Sequence, residues 1–133
     1  MVFSKATGYG IRAMSYMARH GGDVGVCGLG EIASSEKIPQ DYLRKLLGEL
    51  RRHRLVRSVK GVHGGYLLAH EPQNITLWDV FKALDNDPYL DECILCGERG
   101  ENLSCSFCAE WKRICNELVA TLKKQTIADF ALD

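Results

Sequence analysis

The chain has 133 residues, 46% hydrophobic and 26% charged, the make-up of one globular domain with an appended element rather than of a fibrous or disordered protein. Its formal charge is zero, yet residues 1–70 carry eleven Lys/Arg against five Asp/Glu and residues 71–133 carry six against twelve, which sets a basic surface suited to a polyanion apart from an acidic half. No apolar run is long enough to span a bilayer and no signal-peptide pattern opens the chain, so no membrane role and a cytoplasmic location are expected.

In chain order, residues 4–20 read as a helix, with Tyr9, Ala13, Tyr16 and Met17 on one face and Gly21-Gly22 as its stop. Residues 29–35 fit a short second helix. Lys37-Ile38-Pro39 makes a turn, because proline fits the start of a new helix and not its middle. From Gln40 to about His53, Leu43, Leu46, Leu47 and Leu50 form one apolar stripe while Arg44, Lys45, Arg51 and Arg52 take the other faces. A short helix, a tight turn and a cationic amphipathic helix is the helix-turn-helix pattern.

Leu55–Val59 then reads as a strand, Lys60–Gly65 as a glycine-rich tip and Tyr66–Ala69 as the returning strand. A hairpin directly after a recognition helix is a wing, and its glycines let backbone approach a phosphate. Thr76–Asp85 reads as a helix N-capped by Thr76, and residues 86–103 as a polar loop. The last helix, from about Ser104 to Gln125, carries Phe107, Trp111, Ile114, Leu118 and Leu122 on a sustained seam. So long a helix on so small a chain is best covered by a second subunit, the competing cover being the chain's own core.

The predicted fold is mainly α with a small β-hairpin wing: a winged helix-turn-helix over 1–75, a linker helix and cysteine-bearing loop over 76–103, and a dimerisation helix with a tail over 104–133. Its double-stranded DNA contacts are expected from Gln40, Asp41, Tyr42, Arg44, Lys45 and Arg51 on the recognition helix and from Lys60, Gly61, His63 and Gly64 on the wing. No enzyme is expected: no Ser/His/Asp or paired-acid arrangement stands out. Glu31, Glu49 and Asp79 read as solvated helix-face charges, and His20, His53 and His70 as surface residues.

Five of the six cysteines fall within 23 residues. Cys93, Cys96, Cys105 and Cys108 spell Cys-x2-Cys-x8-Cys-x2-Cys, which brings four thiolates within reach of one centre. Four soft sulfur ligands suit an iron–sulfur cluster or zinc, and the spacing does not choose between them. Cys115 lies about 10 Å further along the helix than Cys108 and reads as a core or seam residue. Cys27, alone, reads as a small hydrophobe. An electron-transfer or thiol-oxidoreductase role is disfavoured, since the chain lacks the βαβ pattern in which such a motif sits.

Three stretches carry a resemblance: Lys5-Ala6-Thr7-Gly8-Tyr9 with Arg12-Ala13-Met14; Ile38-Pro39-Gln40-Asp41-Tyr42-Leu43 running on to Leu55-Val56; and Lys60-Gly61-Val62-His63-Gly64-Gly65-Tyr66-Leu67. Over nearly its whole length the chain resembles the bacterial Rrf-type winged-helix regulators, the family of IscR, NsrR and CymR. The last stretch is the most specific, since the family wing reads Arg-Gly, two variable positions, then Gly-Gly-Tyr. The resemblance implies a homodimer on a palindromic operator, with recognition helices in successive major grooves and wing tips in the minor groove. Lys60 stands where the family usually has arginine, His63 where a small residue is common, and Arg44-Lys45 where IscR has Glu-Gln. IscR-like members carry three cysteines spaced near Cys-x5-Cys-x5-Cys. Here Cys93 and Cys105 match the outer pair, Arg99 takes the middle place, Cys108 stands where IscR has its ligating histidine, and Trp111 follows in similar register. The expectation that follows is an iron–sulfur cluster of undetermined type that tunes operator binding to redox or iron–sulfur status, with a structural zinc or bare redox-active thiols as the alternatives.

Overall fold

The computed structural model describes residues 4–21, 25–85 and 106–131. Helices α1 (Lys5–His20), α2 (Leu29–Glu36) and α3 (Gln40–Arg52) precede a hairpin of β1 (Val56–Val59) and β2 (Gly65–Leu68). A 3-10 turn (Pro72–Asn74), α4 (Leu77–Leu84), α5 (Ser106–Lys124) and a short α6 (Ile127–Phe130) complete the described chain. It is a winged helix-turn-helix with a long C-terminal helix, as the sequence predicts.

Each element stands on local chemistry. Ser4 caps α1 by accepting the Thr7 N–H at 3.4 Å. The buried face of α1 includes Ala13, Tyr16 and Met17 from the predicted stripe, and it extends to Met14, which is fully buried. α2 ends in Lys37, whose left-handed φ of 55° turns the chain so that the Ile38 N–H reaches the Ala33 carbonyl at 3.0 Å. Pro39 then starts α3, whose Leu43, Leu46, Leu47 and Leu50 are all buried. Each such leucine is worth roughly 1.5–3 kcal/mol of burial.

At the other end of α3, the Leu55 N–H bonds the Leu50 carbonyl and the Arg54 N–H bonds that of Arg51, both at 2.9 Å. This is a Schellman ending, with Arg54 in the left-handed place (φ 62°) where glycine is usual. The hairpin is antiparallel and pairs Val56 with Leu68 through to Val59 with Gly65. Cys27 adds a third, one-residue strand by exchanging two 2.8 Å hydrogen bonds with Tyr66. A Cβ on Gly65 would run into the Cys27 carbonyl, so the close approach requires glycine there.

Two carboxylates read as solvated charges from sequence in fact cap helices. Asp79 and Thr76 form a capping box at the start of α4, at 3.0 and 3.1 Å. Glu31 accepts the Gly28 N–H at 2.9 Å to begin α2, and its other oxygen accepts the Tyr16 hydroxyl at 2.8 Å.

Helix α6 is absent from the sequence reading, which ends in a tail. Four residues are too few to show a helical period. It is nonetheless anchored: Ile127 is fully buried, its N–H donates to Ile75 at 2.9 Å, and the Leu77 N–H donates to the Gln125 carbonyl at 3.0 Å. One core therefore runs from Ala13 on α1 through Leu47 and Val80 to Leu122 and Ile127. No helix among the described residues is long and apolar enough to cross a membrane.

Candidate nucleic-acid interface and cysteine-bearing helix

Because leucines claim one side of α3, its remaining faces are left to solvent. Gln40, Asp41, Tyr42, Arg44, Lys45 and Arg51 are all exposed there. Tyr42 is steadied by an edge-on contact with Tyr9, ring centres 5.7 Å apart, and the Arg12 guanidinium lies over the Tyr9 ring at 5.6 Å. Arg44 pairs with Asp41 at 3.4 Å, a fully solvated contact worth little, so the guanidinium can exchange it for a base edge. On the wing, Lys60, Gly61 and His63 are exposed and Gly64 is half-buried. Gly61 adopts a φ of 114°, open to glycine but strained for other residues, and its carbonyl accepts the Gly64 N–H at 3.0 Å to close the tip.

The Tyr16–Glu31 contact ties α1 to the start of α2 and orients the helix-turn-helix. The Gly28 N–H, and after it the Tyr16 hydroxyl, hold the Glu31 carboxyl below its ordinary range. The same bond, with burial, pushes Tyr16 up to about 12. Burial, then the Glu31 charge, push the Cys27 thiol up to about 11. It stays protonated at neutral pH and serves as the small buried hydrophobe its sequence setting predicts.

Of the cysteine set, Cys93, Cys96 and Cys105 lie outside the described residues. Cys108 sits half-buried in the first turn of α5, which contains no acidic residue. The positive end of the helix dipole there favours a thiolate. One turn on, the Trp111 indole N–H is buried and has no hydrogen-bond partner among the described residues. Cys115 is buried against Phe81, in keeping with a core role. Among the described residues no three His, Cys, Asp or Glu side chains converge as a metal site.

The predicted α5 seam divides. Leu122 is 7% exposed and belongs to the chain's own core, so it is not available to a second helix. Trp111 and Leu118 are partly covered by Phe81 and Cys115. Phe107 and Ile114 remain 43% and 46% exposed.

An exposed cationic helix joined to an exposed glycine wing, both resting on one core, defines a DNA-binding transcription regulator of the winged-helix class rather than an enzyme. The family model Rrf2, described as iron-dependent transcriptional regulator, matches residues 3–133. The chain belongs to the Rrf2 family. It is 32% identical to the protein rrf2 of Nitratidesulfovibrio vulgaris over 131 residues, 94% of this chain and 83% of that one. Among solved structures it is similar to CymR, the global cysteine regulator of B. subtilis (TM-score 0.78, 29% identity, 97% of this chain and 95% of that one). It is also similar to T. potens IscR (TM-score 0.75, 30% identity, 95% and 82%).

Proposed function

We propose that the chain is a cytoplasmic homodimer that binds a palindromic operator and adjusts its affinity to redox or iron–sulfur status through a cluster held by Cys93, Cys96, Cys105 and Cys108. The DNA contacts assigned are Gln40, Asp41, Tyr42, Arg44, Lys45 and Arg51 of α3, with Lys60, Gly61, His63 and Gly64 of the wing. The observation that carries the sensing half is the setting of Cys108: a first helical turn without carboxylates, followed one turn on by a buried indole N–H with no acceptor among the described residues. Both features fit a thiolate ligand, since one favours its charge and the other offers it a donor.

The family's description as iron-dependent supports iron over zinc. When bound, such a cluster supplies a centre whose charge or integrity changes on oxidation. The chain's own part is to couple that change to DNA. Residues 86–105 connect α4 to α5, so the four cysteines straddle the junction between the winged helix and the proposed dimer helix. Fixing that junction fixes the separation of the two recognition helices, which on a palindrome must match one turn of DNA, roughly 34–36 Å.

The test is anaerobic purification, an absorption spectrum, and iron, zinc and sulfide analysis of wild type and of each Cys→Ser variant, with operator affinity measured beside them. Brown protein with iron and sulfide, lost in all four variants together with a changed affinity, is the expected result. Colourless zinc protein would replace the cluster with a structural metal. Full metal in Cys96→Ser or Cys108→Ser would remove that residue from the ligand set, and unchanged affinity in metal-free protein would end the sensing role.

A further inference from the structure

The arginines of the described chain fall into two groups. Arg12, Arg19, Arg44, Arg52 and Arg113 each have a carboxylate within 2.7–3.4 Å. Arg51, Arg54 and Arg57 have none among the described residues, and these three line a single cleft of about 560 Å³ with Ser58 and His70. Val56 and Ala69 also line it, so the cleft combines cationic and apolar residues. Three exposed cations lining one cleft raise the local positive potential, which attracts anions.

Two of these residues are fixed in place, Arg51 through its guanidinium and Arg54 through its backbone. Arg51 donates from Nη1 to the Ser58 hydroxyl at 3.0 Å, fixing its guanidinium between α3 and β1. Arg54 occupies the left-handed position of the Schellman ending (φ 62°), where glycine would fold with less strain, and its carbonyl is bonded to His70 Nε2 at 3.1 Å. A charged residue thus stands where the backbone favours glycine.

We infer that the cleft of Arg51, Arg54, Arg57 and His70 is a seat for a phosphate of the DNA backbone, flanking the contacts made by the first turns of α3. Arg51 belongs to the same exposed stripe of α3 as Gln40 and Arg44, so the cleft continues the proposed DNA-facing side onto β1 rather than opening a separate surface. Guanidinium forks suit phosphate oxygens bidentately, and such contacts position the protein without reading sequence. The inference rests on the proposed DNA docking and extends it to Arg54, Arg57 and His70.

The experiment uses the full chain and a long mixed-sequence duplex, with affinity followed by fluorescence anisotropy across a salt series. Arg54→Gly suits the test because it relieves the left-handed strain: its melting temperature should equal or exceed that of wild type. Arg54→Gly and Arg57→Gln are each expected to bind several-fold more weakly at low salt. Each should lower the salt slope by about 0.9, the value of one lost phosphate. Wild-type affinity and slope in both folded variants would overturn the seat while leaving the α3 docking intact. Failure of wild type itself to bind any duplex would instead overturn the docking reading. Inorganic phosphate is the last arm: if it stabilises wild type and not Arg54→Gly while DNA affinity is equal in both, the cleft takes a free anion and the DNA assignment falls.

Discussion

Arg44 stands on the open side of α3 with only a solvated aspartate for company, so its loss should be felt by DNA and hardly by the fold. Arg44→Ala is expected to weaken operator binding by about 1–3 kcal/mol and to relax one base position, read by binding-site selection. Lys60→Ala should instead weaken all sequences alike, with a shallower salt slope. Equal behaviour of both variants and wild type would show that this face does not meet DNA. Tyr16 makes the opposite kind of prediction, about fold and pH. Removing its 2.8 Å bond to Glu31 in Tyr16→Phe should cost about 1 kcal/mol near neutrality, measured by urea unfolding. Because the folded Glu31 carboxyl lies below its ordinary 4.5, that contribution is complete above 4.5 and fades as pH falls through the lowered value. Wild type and variant should therefore converge in acid. Tyr16 itself, pushed up from 10.0 to about 12, adds in wild type a loss of stability as pH climbs through that interval, beyond the loss from Cys27 that both proteins share.

At the scale of elements, α1 to α4 and the hairpin were legible because each carries its own signal. Four leucines at helical spacing make α3, a proline opens it, and Thr76 starts α4. The capping roles of Glu31 and Asp79 are not legible, because a carboxylate three residues inside a helix looks the same in sequence whether it caps or dangles. Only the extended backbone at Gly28 and Thr76 turns it inward. Of the proposed site, the exposed faces of α3 and the wing were legible from charge and glycine pattern. The cleft beside β1 was not, since it gathers Arg51, Arg57 and His70 through the hairpin pairing rather than through any local spacing. α6 escaped notice for the same reason: its stability comes from Ile127 meeting α1 and Ile75, contacts remote in sequence. Ile127→Ala should accordingly destabilise the winged helix by about 2–5 kcal/mol, well above an exposed-tail substitution. A melting temperature equal to wild type would make α6 an ornament.

For the molecule as a whole, the open question is what covers α5. Phe107 and Ile114 are the exposed part of its seam, whereas Leu118 and Leu122 also serve the chain's own core. Phe107→Asp with Ile114→Asp should therefore give a folded monomer in sedimentation, with operator binding lost. Ile114→Asp with Leu118→Asp should break the dimer too, but at some expense to the core. A dimer that survives the first pair would locate the subunit contact elsewhere. The bond from Leu77 to Gln125 has a mechanical meaning for such a dimer. It ties the residue that opens α4 to the residue that follows α5, so the C-terminal end of that helix is tethered to the winged-helix core. Cys108 lies about 26 Å from that tether at the helical rise per residue. Between the two, Cys115 and Leu118 pack against Phe81 of α4, so one continuous helix joins Cys108 to the core. A displacement imposed at Cys108 would therefore reach the winged-helix core along that helix and its packing on α4.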